Sequence, residues 1–199
     1  MAAPPAPRCR AAPRGRELPL LPQELELQLA RAPAGLAYGV LRAPREPHGT
    51  RALLRALLPS ALCAVVEVAL VEAPSGARLV PVRVGVGAAE EEMPLGPLHV
   101  SASPAVRHIG VQATAYAAAV ARDPLAEQPL EALFAWLVGY RDLFARSCHA
   151  CGQQLEWDPL FGAFVPPSSN PWERRLMTAA PAPLYHRLCC PADDADGTG

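Results

Sequence analysis

Apolar residues recur along this chain with two spacings, one of alternate positions and one of every third or fourth. The strongest alternation runs from Cys63 to Val71 and again from Leu79 to Val86, rich in β-branched residues and divided by Ala73-Pro74-Ser75-Gly76. Such runs around a Pro/Gly turn predict a β-hairpin over about residues 62–87. Pro81 lacks an amide hydrogen, so the second strand is expected at a sheet edge. Beyond the hairpin the spacing becomes helical. Ser103-Pro104 is a start signal, and Val106, Ile109, Ala113, Tyr116 and Val120 advance by threes and fours, which predicts a helix over about 103–121. Gln128-Pro129 opens a second helix over about 128–146, with Leu130, Leu133, Leu137, Tyr140 and Phe144 on one face. Between the hairpin and the first helix, residues 87–100 read as a solvated connection around Glu90-Glu91-Glu92, ending in a short strand at Leu98 to Val100.

Upstream, Pro22 to Leu29 reads as a short helix and Leu36 to Leu41 as a strand. Thr50 to Leu58 reads as a helix with Leu53, Leu54, Leu57 and Leu58 on its buried face, stopped by Pro59. The expected fold class is α+β: a small antiparallel sheet packed with helices, plus a C-terminal zinc-ribbon-like lobe. The expected organisation is a disordered Pro/Arg-rich tail at 1–20, an α+β domain at 21–146, a zinc-binding lobe at 147–190 and a disordered acidic tail at 191–199.

Composition changes this picture little. The chain has 199 residues and a net charge of −1, so neither a polyanion nor a membrane surface is implied as partner. All 18 basic residues are Arg, a skew that suggests GC-rich coding and weakens any argument from Ala, Arg or Pro content. Glu67 interrupts the most hydrophobic run, Ala61 to Val71, so no membrane span is expected. The start has Arg and no acids, as transit peptides do, but neither Ser nor an apolar signal core, so it reads as tail.

The six Cys sharpen the picture most. Cys148 and Cys151 form C-x2-C followed by Gly152, and after a 34-residue insert His186 and Cys189 form H-x2-C. Each pair can aim two donors at one point, and together they make a closed Cys3His set, which indicates a structural zinc ion. Two other readings stand beside it: thiols packed as small apolar residues, and a redox pair at Cys148 and Cys151. The insert is longer than the ~15–20 residues of compact ribbons, and Pro166 to Pro171 within it looks like an exposed loop. His149 and Cys190 each adjoin a better placed donor and are expected not to ligate, although either is a possible substitute. His48, His99 and His108 lack ligand-spaced partners, Cys9 falls in the tail and Cys63 in an apolar strand.

There is no phosphate-cradling glycine loop, no deaminase pattern and no nucleophile elbow, so no catalytic residue is expected. Direct nucleic-acid binding is not expected either; it would have to rest on Arg146, Arg174, Arg175 and Arg187 near the zinc site.

Phe134 to Phe144, Cys148 to Gly152, Pro171-Trp172-Glu173-Arg174 and Tyr185 to Cys189 together resemble the C-terminal region of the Mediator complex subunit 27 family, over about residues 104–190. The resemblance implies a non-enzymatic, nuclear subunit of the Mediator tail module, a coactivator linking activators to RNA polymerase II. It implies other tail subunits as partners, activators indirectly, and Cys148, Cys151, His186 and Cys189 as zinc ligands. Trp136 and Trp172 are candidates for exposed contacts, local packing being the alternative. The runner-up function is a free-standing zinc-binding nucleic-acid adaptor, and a third is a thiol redox enzyme.

Overall fold

The computed structural model describes residues 17–18, 36–42, 51–59, 61–73, 76–91, 100–123, 126, 128–168 and 183–190. The helix expected at Pro22 to Leu29, Trp172, the acidic tail, Cys9, His48 and His99 lie outside them. Two compact units divide the chain at Arg141 and Asp142.

The first unit is built on the hairpin. Strands β4 (Leu62–Ala73) and β5 (Gly76–Ala88) pair antiparallel along their whole length. β3 (Arg51–Leu58) lies on the other side of β4, and β2 (Ala37–Arg42) pairs with β3. β1 is the two residues Glu17–Leu18, paired with Leu70 and Val71 of β4; it falls within the segment expected to be tail. The five strands form one antiparallel sheet. Between the pairs Glu67–Arg83 and Val68–Pro81, β5 carries one residue more than β4, so Val82 is a bulge and Pro81 sits where the ladder is already disturbed. Val100 makes a single parallel bridge to Val86, all that the described residues show of the strand expected there.

Residues 51–58 form a strand and not the expected helix. The run Arg-Ala-Leu-Leu-Arg-Ala-Leu-Leu satisfies both periods, and its residues have good helix propensity. Pairing with β2 and β4 decides the matter. Ala52, Leu54, Ala56 and Leu58 are at most 2% exposed while Arg51 and Arg55 face solvent, so the apolar stripe has period two.

Helix α1 (Pro104–Arg122) packs against β5, and α2 (Pro129–Val138) packs against both α1 and β5. Val106, Ile109, Ala113 and Val120 are buried as their spacing requires. Ser103 occupies the cap position, but its hydroxyl makes no capping bond. The entry to the helix is held by Glu91, which accepts from the Ser101 hydroxyl at 2.9 Å and from the backbone N–H of Ala102 at 2.8 Å and Ala88 at 3.1 Å. A carboxylate expected to be solvated therefore ties the end of β5 to the start of α1.

The second helix is shorter than its pattern. Gly139 ends it, and the amides of Gly139, Tyr140 and Arg141 bond to carbonyls three residues back, so the chain tightens into three-residue turns. That change of pitch turns the stripe: Tyr140 stays buried, but Leu143 is buried and Phe144 is 54% exposed. Trp136 is half-buried, stacked on Tyr116 at 5.4 Å and edge-on to Tyr140 at 4.8 Å, which is the local-packing alternative. Burial raises the Tyr116 hydroxyl above its ordinary pKa.

Two charged groups are enclosed. Glu67, the only residue of β4 between Leu62 and Val71 that is not fully buried, lies 3.3 Å from both Arg51 and Arg83. Arg51 hydrogen-bonds it; Arg83 stands off the bonding direction of Oε2 and balances it by charge alone. Arg78 is 6% exposed and donates to the backbone carbonyls of Asp123, at 3.0 Å, and Ala126, joining the hairpin to the link between the helices. Arg78→Met keeps the apolar stem and removes these charge-assisted bonds, so a loss of about 2 kcal/mol is expected in urea unfolding. Wild-type stability in that variant would show that the carbonyls do not need the guanidinium.

Candidate metal centre

The second unit contains both cysteine clusters. Cys148 begins a knuckle whose turn is closed by Gly152 N–H to Cys148 O at 2.9 Å and by Cys148 N–H to Gln153 O at 2.9 Å. Gly152 has φ +73°, a backbone state in which a Cβ is strained, which is why glycine follows the pair. The second pair is turned by Cys189 N–H to His186 O at 2.9 Å. His149 N–H donates to Leu184 O at 3.0 Å, and His186 N–H points at Cys148 Sγ at 3.4 Å, which binds the two segments together.

One ligand atom from each of Cys148, Cys151, His186 and Cys189 lies within 4.8 Å of all the others. Cys151 Sγ is 3.3 Å from His186 Nδ1. Zinc bonds of ~2.3 Å to sulfur and ~2.0–2.1 Å to nitrogen set tetrahedral edges of roughly 3.4–3.8 Å, so this spacing fits a common metal. His186 and Cys148 are 1% and 2% exposed, whereas Cys151 is exposed and Cys189 half-buried. His149 is exposed, its ring edge-on to Tyr185 at 5.5 Å, and neither it nor Cys190 belongs to the cluster.

Electrostatics treat the thiols unequally. Burial acts to raise the Cys148 thiol, but the amides of Cys151, His186 and Ala150 and the Cys151 side chain outweigh it and hold its pKa below the ordinary thiol range. Cys189 is pushed up to about 12, by burial first and then by Glu156, Cys151 and Cys148. A cation at the centre reverses that, because a coordinating thiol is deprotonated. Three sulfurs and one imidazole nitrogen are the donor set that suits zinc, and they use all four tetrahedral positions.

Three residues that spacing did not point to support the cluster. β6 (Glu156–Asp158) and β7 (Ala163–Val165) form a two-stranded ribbon. Asp158, 3% exposed, accepts Arg187 Nε at 2.9 Å and its second nitrogen at 3.0 Å, a forked bond beside His186. Arg187, a candidate for nucleic-acid contact, is thus occupied within the unit. Glu156 reaches His186 and Cys189. No sequence signal marks these residues, because the ribbon brings them to the cluster. Pro166, Pro167 and Ser168 are buried and not an exposed loop; Ser168 N–H donates to Tyr185 O at 3.0 Å.

Cys63 is fully buried and accepts from Arg55 Nε at 3.2 Å, a core residue as expected. His108 lies on α1, far in sequence from the cluster and no part of it.

Residues 96–190 match the family model for Mediator complex subunit 27, which bears out the resemblance over a stretch that includes both helices and all four donor residues. No curated protein matches the chain.

Proposed function

From the premise that residues 96–190 are those of a Mediator complex subunit 27 family member, we propose that this protein is a non-enzymatic structural subunit of the Mediator tail module. In this reading it acts in the nucleus, in the coactivator that links transcriptional activators to RNA polymerase II, and its partners are other tail subunits. The observation that carries the reading is the coincidence of the family match with a four-donor cluster in the same residues.

Cys148, Cys151, His186 and Cys189 would hold a zinc ion, which supplies a cross-link between the two segments and leaves no position for a substrate. The chain's own residues do the rest. The Asp158–Arg187 fork fixes the ribbon beside the second ligand pair. The ribbon then presents Trp157 and Phe164, paired across it with ring centres 5.5 Å apart and 49% and 67% exposed. Leu155, Leu160 and Leu188 are also more than half exposed. Large exposed side chains gathered on one small unit suit a protein that works by contact with others.

Tagged full-length protein, purified from nuclear extract, should carry Mediator tail subunits identified by mass spectrometry. In a Trp157→Asp, Phe164→Asp double variant their yield should fall at least several-fold. Purification with none of them would remove the subunit assignment. The adaptor reading predicts instead that the protein alone binds DNA or RNA with a steep salt dependence, and Arg187, held by Asp158, argues against it.

A further inference from the structure

Among the thiols of the described residues, one stands apart. Cys63 is fully buried, Cys148 is 2% exposed, and Cys189 and Cys190 are half-buried. Cys151 alone is exposed. Its neighbours Ala150 and Gly152 are exposed as well and have almost no side chain with which to cover it. The knuckle creates the difference: its turn, closed by Gly152 N–H to Cys148 O, sends Cys148 inward to meet His186 N–H at 3.4 Å and leaves Cys151 at the rim.

Exposure of an electron-rich sulfur is what selects a cysteine for attack by a small oxidant, and a second sulfur within reach makes the outcome reversible. Cys148 meets the second condition. Its sulfur lies within 4.8 Å of that of Cys151. Residues three apart on one such turn have Cα atoms roughly 5–6 Å apart, inside the ~4.4–6.8 Å that a disulfide spans. Cys189 is also within 4.8 Å of Cys151, but it stands on the other segment, with its sulfur 3.3 Å from Glu156 of the ribbon. Joining Cys189 to Cys151 requires two segments to shift, whereas joining Cys148 requires one turn to tighten.

We propose that Cys151 is an oxidation site, that hydrogen peroxide is the class of oxidant it takes, and that the product is a Cys148–Cys151 disulfide. The inference rests on the reading of Cys148, Cys151, His186 and Cys189 as metal ligands, because what the disulfide changes is the number of donors. In the first step the peroxide O–O bond breaks, one oxygen joins the Cys151 sulfur as a sulfenic acid and the other leaves as water. In the second the Cys148 sulfur attacks that of Cys151, the S–S bond forms, the S–O bond breaks and a second water leaves. Two electrons pass from the pair of sulfurs to the peroxide, and solvent supplies any protons the waters still need. A disulfide within one knuckle does not replace the cross-link it removes. Residues 183–190 are then held to the rest of the unit chiefly by His149 N–H to Leu184 O, Ser168 N–H to Tyr185 O and the Asp158–Arg187 fork. Oxidation therefore loosens this unit as chelation does, and a thiol reductant supplied with zinc restores it.

The test treats full-length, zinc-loaded protein with hydrogen peroxide at a dose that oxidises free glutathione in the same solution. Zinc should pass stoichiometrically to a chromogenic chelator, and peptide mass spectrometry without reduction should find Cys148 joined to Cys151. Amide protection should be lost at Ser168 and Cys189 and kept in β4 and β5, and dithiothreitol with zinc should restore it. A Cys9→Ser, Cys190→Ser double variant, which removes the other thiols outside the core and the cluster, should release zinc at the wild-type rate. Zinc retained at that dose, or a disulfide from Cys151 to Cys189 or Cys190 in place of Cys148, would overturn the inference and leave the four-ligand site standing. Protein that takes up no zinc at all would overturn both.

Discussion

Cys151→Ser should unfold residues 145–168 and 183–190 together while the hairpin of the first unit stays folded. The side chain is exposed, so the substitution opens no cavity; in the proposed reading what it removes is one bond to the metal. Among the described residues of the second unit the buried apolar ones are Leu143, Cys148, Val165, Pro166, Pro167, Leu184 and Tyr185, and two of these flank a donor or are one. So small a core supplies at most a few kcal/mol, whereas a structural zinc site contributes on the order of 10 kcal/mol of apparent binding energy at neutral pH. Loss of one thiolate of three should forfeit much of that. Amide exchange should show protection vanishing at Cys148, Gly152, Ser168 and Cys189 and surviving in β4 and β5, with zinc content reduced in proportion. Chelation of the wild type should give the same pattern. Protection retained throughout the second unit after chelation would mean that packing alone holds it and that the cluster is not its organising element.

The second large effect separates two neighbouring leucines. Leu54 is fully buried and Leu53 only half-buried, although they are identical in type and adjacent in the chain. Leu54→Ala should cost about 3–5 kcal/mol through lost transfer energy and a residual cavity. Leu53→Ala should cost under about 1.5 kcal/mol, since less surface returns to water and no enclosed void forms. A helix over residues 50–58 would bury both and give similar losses. Urea midpoints of the two variants, compared at constant slope, decide between the periods; equal destabilisation would contradict the strand.

That pair also shows what could be read from residues alone. The hairpin was legible because Val66, Val68, Val80, Val82 and Val84 favour extended backbone and alternate around a Pro-Ser-Gly turn. Helix α1 was legible because its stripe and its Ser-Pro start agree. Residues 51–58 were not, because Ala, Leu and Arg fit a helix locally and only the ladders to β2 and β4 make the other period pay. The end of α2 was missed for a related reason: Tyr140 continues the stripe, while Gly139 and three-residue turns change its pitch. In the second unit, spacing suffices to bring Cys148, Cys151, His186 and Cys189 forward as donors. Glu156, Asp158 and Arg187 have no such spacing, since what unites them is a ribbon register with one partner some thirty residues away.

Glu67 has a consequence for how the first unit reaches its final pairing. A strand as uniformly apolar as β4 can slide against its neighbours with little change in burial, and each one-residue slide turns every side chain over. Here a slide would also strip a carboxylate of Arg51 and Arg83 and press it among aliphatic groups, a penalty of several kcal/mol against the wrong alignment. One enclosed acid in the oily stretch from Leu62 to Val71 thus works as a proofreader: it adds little to the correct sheet and makes its near neighbours too costly to persist.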